Sequence, residues 1–203
     1  MEWLTSFEFT PILAALRLNM FDALLLGALG WGVYQGKEQG ASSTHVSVVQ
    51  WMVIALPGGL AGAFLGSFLG PMLGSAYWGQ LTGYLIWIFI VVGFFAFLNS
   101  KGASEWKEAD WFGKTEYPLG VLGCMIKYFC IVLTVMSLLN ANYYTSEMIR
   151  RDREWQIEEF GSALFPSFTM LNNTVFNTSF SGPPLKKTFE GWAILPSAKP
   201  LRR

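Results

Sequence analysis

Residues 39–100 read QGASSTHVSVVQWMVIALPGGLAGAFLGSFLGPMLGSAYWGQLTGYLIWIFIVVGFFAFLNS, and not one of these 62 side chains is formally charged, His45 being neutral at pH 7. A water-soluble domain has no means of solvating a surface drawn from such a stretch. Lipid asks only for ~20 apolar residues per helical crossing. The stretch therefore holds two crossings and a turn. The whole chain agrees: 52% of its 203 residues are apolar and 14% charged, against roughly 25% charged in soluble domains. The expected fold is an all-α, multi-pass membrane protein. A formal net charge of zero offers nothing to a nucleic-acid partner.

Working outward, four transmembrane helices are predicted, at about 18–34, 46–74, 81–98 and 119–139, within a membrane domain of 18–140. Thr10-Pro11 is a good helix start. Ile12 to Leu16 reads as a short interfacial helix within an N-terminal segment 1–17, or else as a lengthening of the first span. Ser75 to Gln80 is read as a tight uncharged turn, and Lys101 to Tyr117 as an exposed loop. An aromatic, partly helical tail occupies 141–203. In it Thr145-Ser146-Glu147 marks a helix start and Gly161 a stop. Phe165, Phe168, Leu171 and Val175 approximate one helical face behind Pro166. The prolines after Gly182 are expected to prevent regular structure, while Phe189 and Trp192 remain able to dock. Glu2 and Glu8, with no basic leader, argue against a signal peptide.

Glycine recurs every fourth residue at Gly58, Gly62, Gly66 and Gly70, and again at Gly32, Gly36 and Gly40. Helices in lipid gain little from hydrophobic burial against one another, so ridges of small residues that allow close backbone approach supply contact energy. The partner of each ridge is either another helix of this chain or another copy. Pro57-Gly58-Gly59 predicts a kink, because proline lacks an amide donor and crowds the preceding turn. Such a break either exposes carbonyls to a substrate or ion or is healed by a neighbouring helix.

Two ionisable residues fall inside the predicted spans. Lys127 sits close to the middle of the fourth, where insertion costs ~3 kcal/mol, so it must be paired, hydrated or snorkelling. Asp22 heads the first, where Asn19 can cap the helix and a carboxylate three residues on favours the positive end of the dipole. At ~1.5 Å per residue the two differ by about 11 Å in depth, too far for comfortable pairing. Cys124 and Cys130 are six apart on one apolar helix and read as small buried fillers. With His45 the only histidine, neither a metal site nor a cofactor site is expected. There is no nucleophile–base pair or phosphate loop, and no catalytic residue is assigned. The chain is not expected to be an enzyme.

The segment Met20-Phe21-Asp22-Ala23-Leu24-Leu25-Leu26 followed by Gly32-Val33-Tyr34-Gln35-Gly36-Lys37 resembles the opening of the colicin V production protein (CvpA) family. Asp110-Trp111-Phe112-Gly113, then Leu119-Gly120, Leu122-Gly123 and Lys127, is similar to that family's second block. The likeness covers roughly residues 19–142. The glycine-rich second span and the long aromatic tail depart from the pattern. The resemblance implies a bacterial inner-membrane protein associated with toxin production or export, and it draws attention to Asp22, Asp110 and Lys127 without assigning them a role. The competing expectation is a structural accessory subunit in a larger membrane assembly. The expected partners are the lipid bilayer and other membrane subunits or a second copy, with both termini cytoplasmic.

Overall fold

A computed structural model of the chain describes residues 19–108, 113–161 and 167–198, with the side chains of 101–108 and Lys114 excepted. The segment 1–17, Asp110, Phe165 and Pro166 lie outside the described residues. The helices are α1 (Met20–Ala55), α2 (Gly58–Leu73), α3 (Ala76–Glu108), α4 (Glu116–Asn140), α5 (Ser146–Phe160), α6 (Phe168–Asn173) and α7 (Gly182–Phe189). A 3-10 turn at Gly113–Thr115 leads into α4, and α6 runs into a π turn at Thr174–Thr178. Among the described residues there is no strand, only isolated bridges at Asn142–Ala198 and Glu190–Ile194. The described residues are helical, with two to three helices long and apolar enough to cross a membrane. Ala76–Ser100 and Glu116–Asn140 are each long and apolar enough to cross a bilayer, and α1 with α2 qualifies as a third, bent by 46°.

Helix boundaries differ from expectation in ways that follow from local chemistry. α3 begins at Ala76, not near residue 81, because Gly74 closes α2 in the left-handed conformation and the Ser75 carbonyl accepts the Gly79 amide at once. The predicted turn shrinks to two residues. α3 also continues through 101–108, where a loop was expected; that segment contains good helix formers and no proline. α7 forms despite Pro183 and Pro184. Both occupy its first turn, where an amide has no helical acceptor and proline is tolerated.

The chain divides into two compact units. One joins 19–25 to Tyr144–Thr188, and the other joins Leu26–Tyr143 to 189–198. The single tail expected after residue 140 is thus shared between the two units. In the first, Thr145 caps α5 by accepting the Met148 amide and Gly161 ends it with φ 69°. Asp152 of α5 receives the Thr169 hydroxyl, which is itself 2.7 Å from Ser167 Oγ. These hydroxyls hold the Asp152 carboxyl below its ordinary range.

In the second unit glycines set the packing. A Cβ on Gly32 would lie 3.0 Å from the Cys124 carbonyl, and one on Gly36 2.5 Å from Val121 Cα. Rising numbers on α1 meet falling numbers on α4, so the two run antiparallel. At Gly40 the backbone turns through φ 69°, ψ 175°, a region open in practice only to glycine. Beyond it Ser42 bonds Glu116 and Val48 faces Gly123, so the numbers now rise together. α1 has turned back along α4, which makes 20–39 and 41–55 two arms of a hairpin.

The second ridge lies between α2 and α3, which pack antiparallel. A Cβ on Gly66 would come within 2.6 Å of Gln80 Cα, and one on Gly83 within 2.7 Å of the Gly66 amide nitrogen. Gly70 is looser, with its nearest neighbours 3.7 Å away, but a methyl on the facing Gly79 would meet Gly70 Cα at 2.5 Å. Both ridges are covered from within the chain. Gly79, Gly83 and Gly120 are their partners, and the same four-residue spacing marks the first two in the sequence.

Candidate functional site

The break between α1 and α2 is closed by neighbours. Pro57 has no amide to give the Val53 carbonyl four residues earlier, and the Trp87 indole N–H of α3 donates to that oxygen at 3.3 Å. At the start of α2 the Leu60 amide, free of any helical acceptor, donates to the Trp192 carbonyl at 3.2 Å. Gly58 leaves room for the Tyr84 ring, 2.6 Å from where its Cβ would stand. The freed groups thus face protein and not an open site.

α4 carries a polar seam through an otherwise apolar helix. Lys127, Cys130, Thr134 and Ser137 recur at steps of three and four, the spacing that keeps one side of a helix in register. Asn140 stands beside the lower end. At the upper end the half-buried Lys127 ammonium donates to Gln35 Oε1 at 3.4 Å, and the Tyr128 hydroxyl donates to the same oxygen at 2.9 Å. The ammonium is also 5.3 Å from the Tyr128 ring centre. Among the described residues no carboxylate stands within ion-pair distance of it; the one such pair is Arg150–Glu154. Its partner is a neutral amide.

Thr134, Ser137 and Asn140 are 7%, 0% and 1% exposed. The Thr134 hydroxyl donates to the Cys130 carbonyl at 3.0 Å, and the hydroxyl of the fully buried Tyr84 makes no hydrogen bond among the described residues. Ser137 Oγ accepts the Leu195 amide at 2.9 Å, while Asn140 Nδ2 donates to the Leu195 carbonyl at 2.6 Å. Asn140 also donates to Glu190 Oε1 at 3.2 Å and accepts the Ser197 hydroxyl at 3.1 Å. Thr134, Ser137 and Asn140 each have a hydrogen-bond partner, whereas the buried Tyr84 hydroxyl beside Thr134 and Ser137 has none among the described residues.

At the hairpin turn Glu116 accepts the Ser42 amide at 2.7 Å and the Ser42 hydroxyl at 2.8 Å. This caps the arm that starts after Gly40, and a negative charge at a helix start is favourable. His45 Nδ1 is 2.6 Å from the Ser42 carbonyl, an acceptor only, so that nitrogen carries the proton. Cys124 and Cys130 are free and buried. Among the described residues no three His, Cys, Asp or Glu gather as metal ligands.

Asp22 lies in the first unit and is 3% exposed. The Asn19 amide donates to its carboxylate at 2.9 Å, the return half of a capping box, while Asn19 Oδ1 accepts the Met20 amide instead of the Asp22 amide. The Phe180 amide at 3.0 Å, the Ser181 amide at 2.9 Å and the Ser181 hydroxyl complete its set. Asp22 therefore does more than face a helix dipole: it anchors the loop that enters α7. Sequence reasoning singled out Lys127 and Asp22 but missed Gln35, Thr134, Ser137, Asn140 and Glu116. The seam's spacing on a charge-poor helix was the available signal for three of them; Gln35 and Glu116 had none. No family model, curated protein or solved structure matches the chain, so its own residues carry the functional reading.

Proposed function

We propose that this chain is a membrane factor of the colicin V production type that assists export of a peptide toxin or other polar solute across a bacterial inner membrane, without catalysing a reaction. In this reading it crosses the bilayer four times: 20–39, the broken 41–73, 76–100 and 116–140. Both termini then lie on one side, the cytoplasmic one. The observation that carries the reading is the seam of Lys127, Thr134, Ser137 and Asn140 on a helix otherwise built for lipid. Polar side chains at membrane depth are costly and mark solute pathways.

The test is a secretion assay in cells that depend on this chain, using Thr134→Val and Lys127→Met variants checked for normal membrane level. Export should fall at least tenfold. Full export by both variants would remove the seam from the mechanism. Labelling of Ser197→Cys by an impermeant reagent in intact cells would reverse the orientation.

A second reading, an accessory subunit, draws on Leu60, Phe64, Phe68 and Met72. They recur every four residues along α2 and are 58–82% exposed. Such a ridge meets either lipid or another membrane protein. Co-purification of a stoichiometric partner from gently solubilised membranes, lost on Phe64→Ala with Phe68→Ala, would favour this reading over the first.

A further inference from the structure

The segment 190–198 lies in the second unit as a strap that first turns, with the Ala193 and Ile194 amides on the Phe189 carbonyl, and then runs on through 195–198. α2 and α4 receive it by its backbone, and α3 packs against its side chains. Leu195 is gripped on both sides: its amide donates to Ser137 Oγ and its carbonyl accepts from Asn140 Nδ2. The Trp192 carbonyl accepts the Leu60 amide, and the Ala198 amide donates to the Ala141 carbonyl. Four backbone groups of the strap are thus recognised without regard to side-chain identity. The bed is shaped for this approach. A Cβ on Gly59 would stand 2.8 Å from the Trp192 carbonyl oxygen and 2.9 Å from that of Ile194.

One side chain is read as well. Leu195 packs with Tyr84 and Ala141 beside Tyr77, Ile88 and Leu138, over Gly62. Ala193, Ile194 and Leu195 are fully buried, while Trp192 is 40% exposed. Hydrogen bonds to a peptide's main chain together with a pocket for one side chain are how peptide segments are bound; here the Ser137 and Asn140 side chains supply the grip on Leu195.

We propose that this bed is a binding site for a polypeptide segment that makes a turn and then extends, with a leucine-like residue at the clamped position, and that residues 190–198 occupy it in cis as a displaceable stand-in. The inference rests on the export reading for its biological sense, since an exported polypeptide is such a ligand, but the groove itself is argued from the clamp alone. A tethered occupant has a high effective concentration, so an intact strap suppresses binding of a free competitor by 10²–10⁴-fold.

The test keeps every residue present. A protease site is introduced after Thr188 in the full chain, which is purified in detergent and nicked; a fluorescent peptide FEGWAILPSA, matching residues 189–198, is then added. The nicked chain should retain its C-terminal fragment, exchange it for the peptide, and bind that peptide at least 100-fold more tightly than the intact chain does. A scrambled peptide should not exchange, and Asn140→Leu in the nicked chain should weaken binding at least tenfold. Two results overturn the proposal: unfolding of the nicked chain once the fragment leaves, which makes the strap an integral packing element, or a folded nicked chain that takes up neither peptide. Because the readout is binding in detergent, a groove that binds while seam variants export normally would sink the export reading and leave the groove standing.

Discussion

The carboxylate of Asp22 accepts hydrogen bonds from both the amide and the hydroxyl of Ser181, which stands 159 residues further along the chain. With the Phe180 and Asn19 amides, four donors converge on one buried group. Asp22→Ala would strand them all. A buried unsatisfied donor costs about 1–3 kcal/mol, and some of these can recover water, so a loss of about 3 kcal/mol is expected. Hydrogen exchange at the Phe180 and Ser181 amides should accelerate by more than tenfold. Unchanged protection would mean that the loop before α7 holds its shape without the carboxylate.

The glycine ridge between α2 and α3 makes a graded prediction. Gly70→Ala places its methyl at ordinary contact distance and should be neutral or slightly stabilising, alanine being favoured over glycine in helices by ~1 kcal/mol. Gly66→Leu drives a side chain into the Gln80 backbone and should cost about 3 kcal/mol or more by overpacking. Thermal unfolding of both variants in detergent decides; equal melting temperatures would mean that the two helices do not pack along this line.

The pairing of Trp87 with the carbonyl orphaned by Pro57 predicts a rescue. Trp87→Phe leaves the Val53 oxygen unpaired and should cost about 1–2 kcal/mol. In that background Pro57→Ala restores a helical amide to the same oxygen, so the double variant should recover at least about 1 kcal/mol relative to additivity. A double-mutant cycle with no coupling would show that the indole is not healing the break.

Lys127 faces a neutral amide and an aromatic ring. Lys127→Met therefore strands no charge, removes the cost of a cation at depth, and should leave stability unchanged or raise it by about 1 kcal/mol. A paired lysine would behave otherwise, since breaking a buried ion pair costs about 3–5 kcal/mol. Destabilisation on that scale would reveal an acidic partner. Gln35→Leu should cost more than Lys127→Met, because it leaves both the ammonium and the Tyr128 hydroxyl without their shared acceptor.

Acid should loosen the contact between α5 and α6 only at low pH. The hydroxyls of Thr169 and Ser167 hold the Asp152 carboxyl below its ordinary range. A depressed folded pKa contributes stability that is complete above the unfolded value of about 3.9 and is lost as pH falls through the folded one. Exchange at the Met170 amide should thus be flat from pH 7 to about 5, after correction for intrinsic rates, and rise only below about pH 4. Asp152→Asn should remove that dependence. A midpoint near pH 6 would implicate a different group.

How much was legible from the chain alone depends on whether the physics was local. The charge-free run of 39–100, the capping residues Thr145 and Gly161, and the four-residue glycine spacing all act within a turn or two of helix. They point to membrane helices, an extramembrane helix and close-packing faces without reference to anything distant. Pro183 and Pro184 misled because proline acts by position: in a first turn it starts a helix, and elsewhere it ends one. Gly40 looked like one more member of a ridge, yet its φ of 69° reverses the chain, and that conformation is held by Glu116 from a helix 76 positions away. Ser137 and Asn140 read as ordinary polar residues near a helix end until Leu195 is laid between them. Neither relationship leaves a mark at its own position in the sequence, because the energy of a buried donor depends on which acceptor the fold delivers to it. Composition and periodicity determined that this chain forms helices apolar and long enough to cross a membrane; only tertiary structure decided which carbonyl, amide and carboxylate each polar side chain would meet.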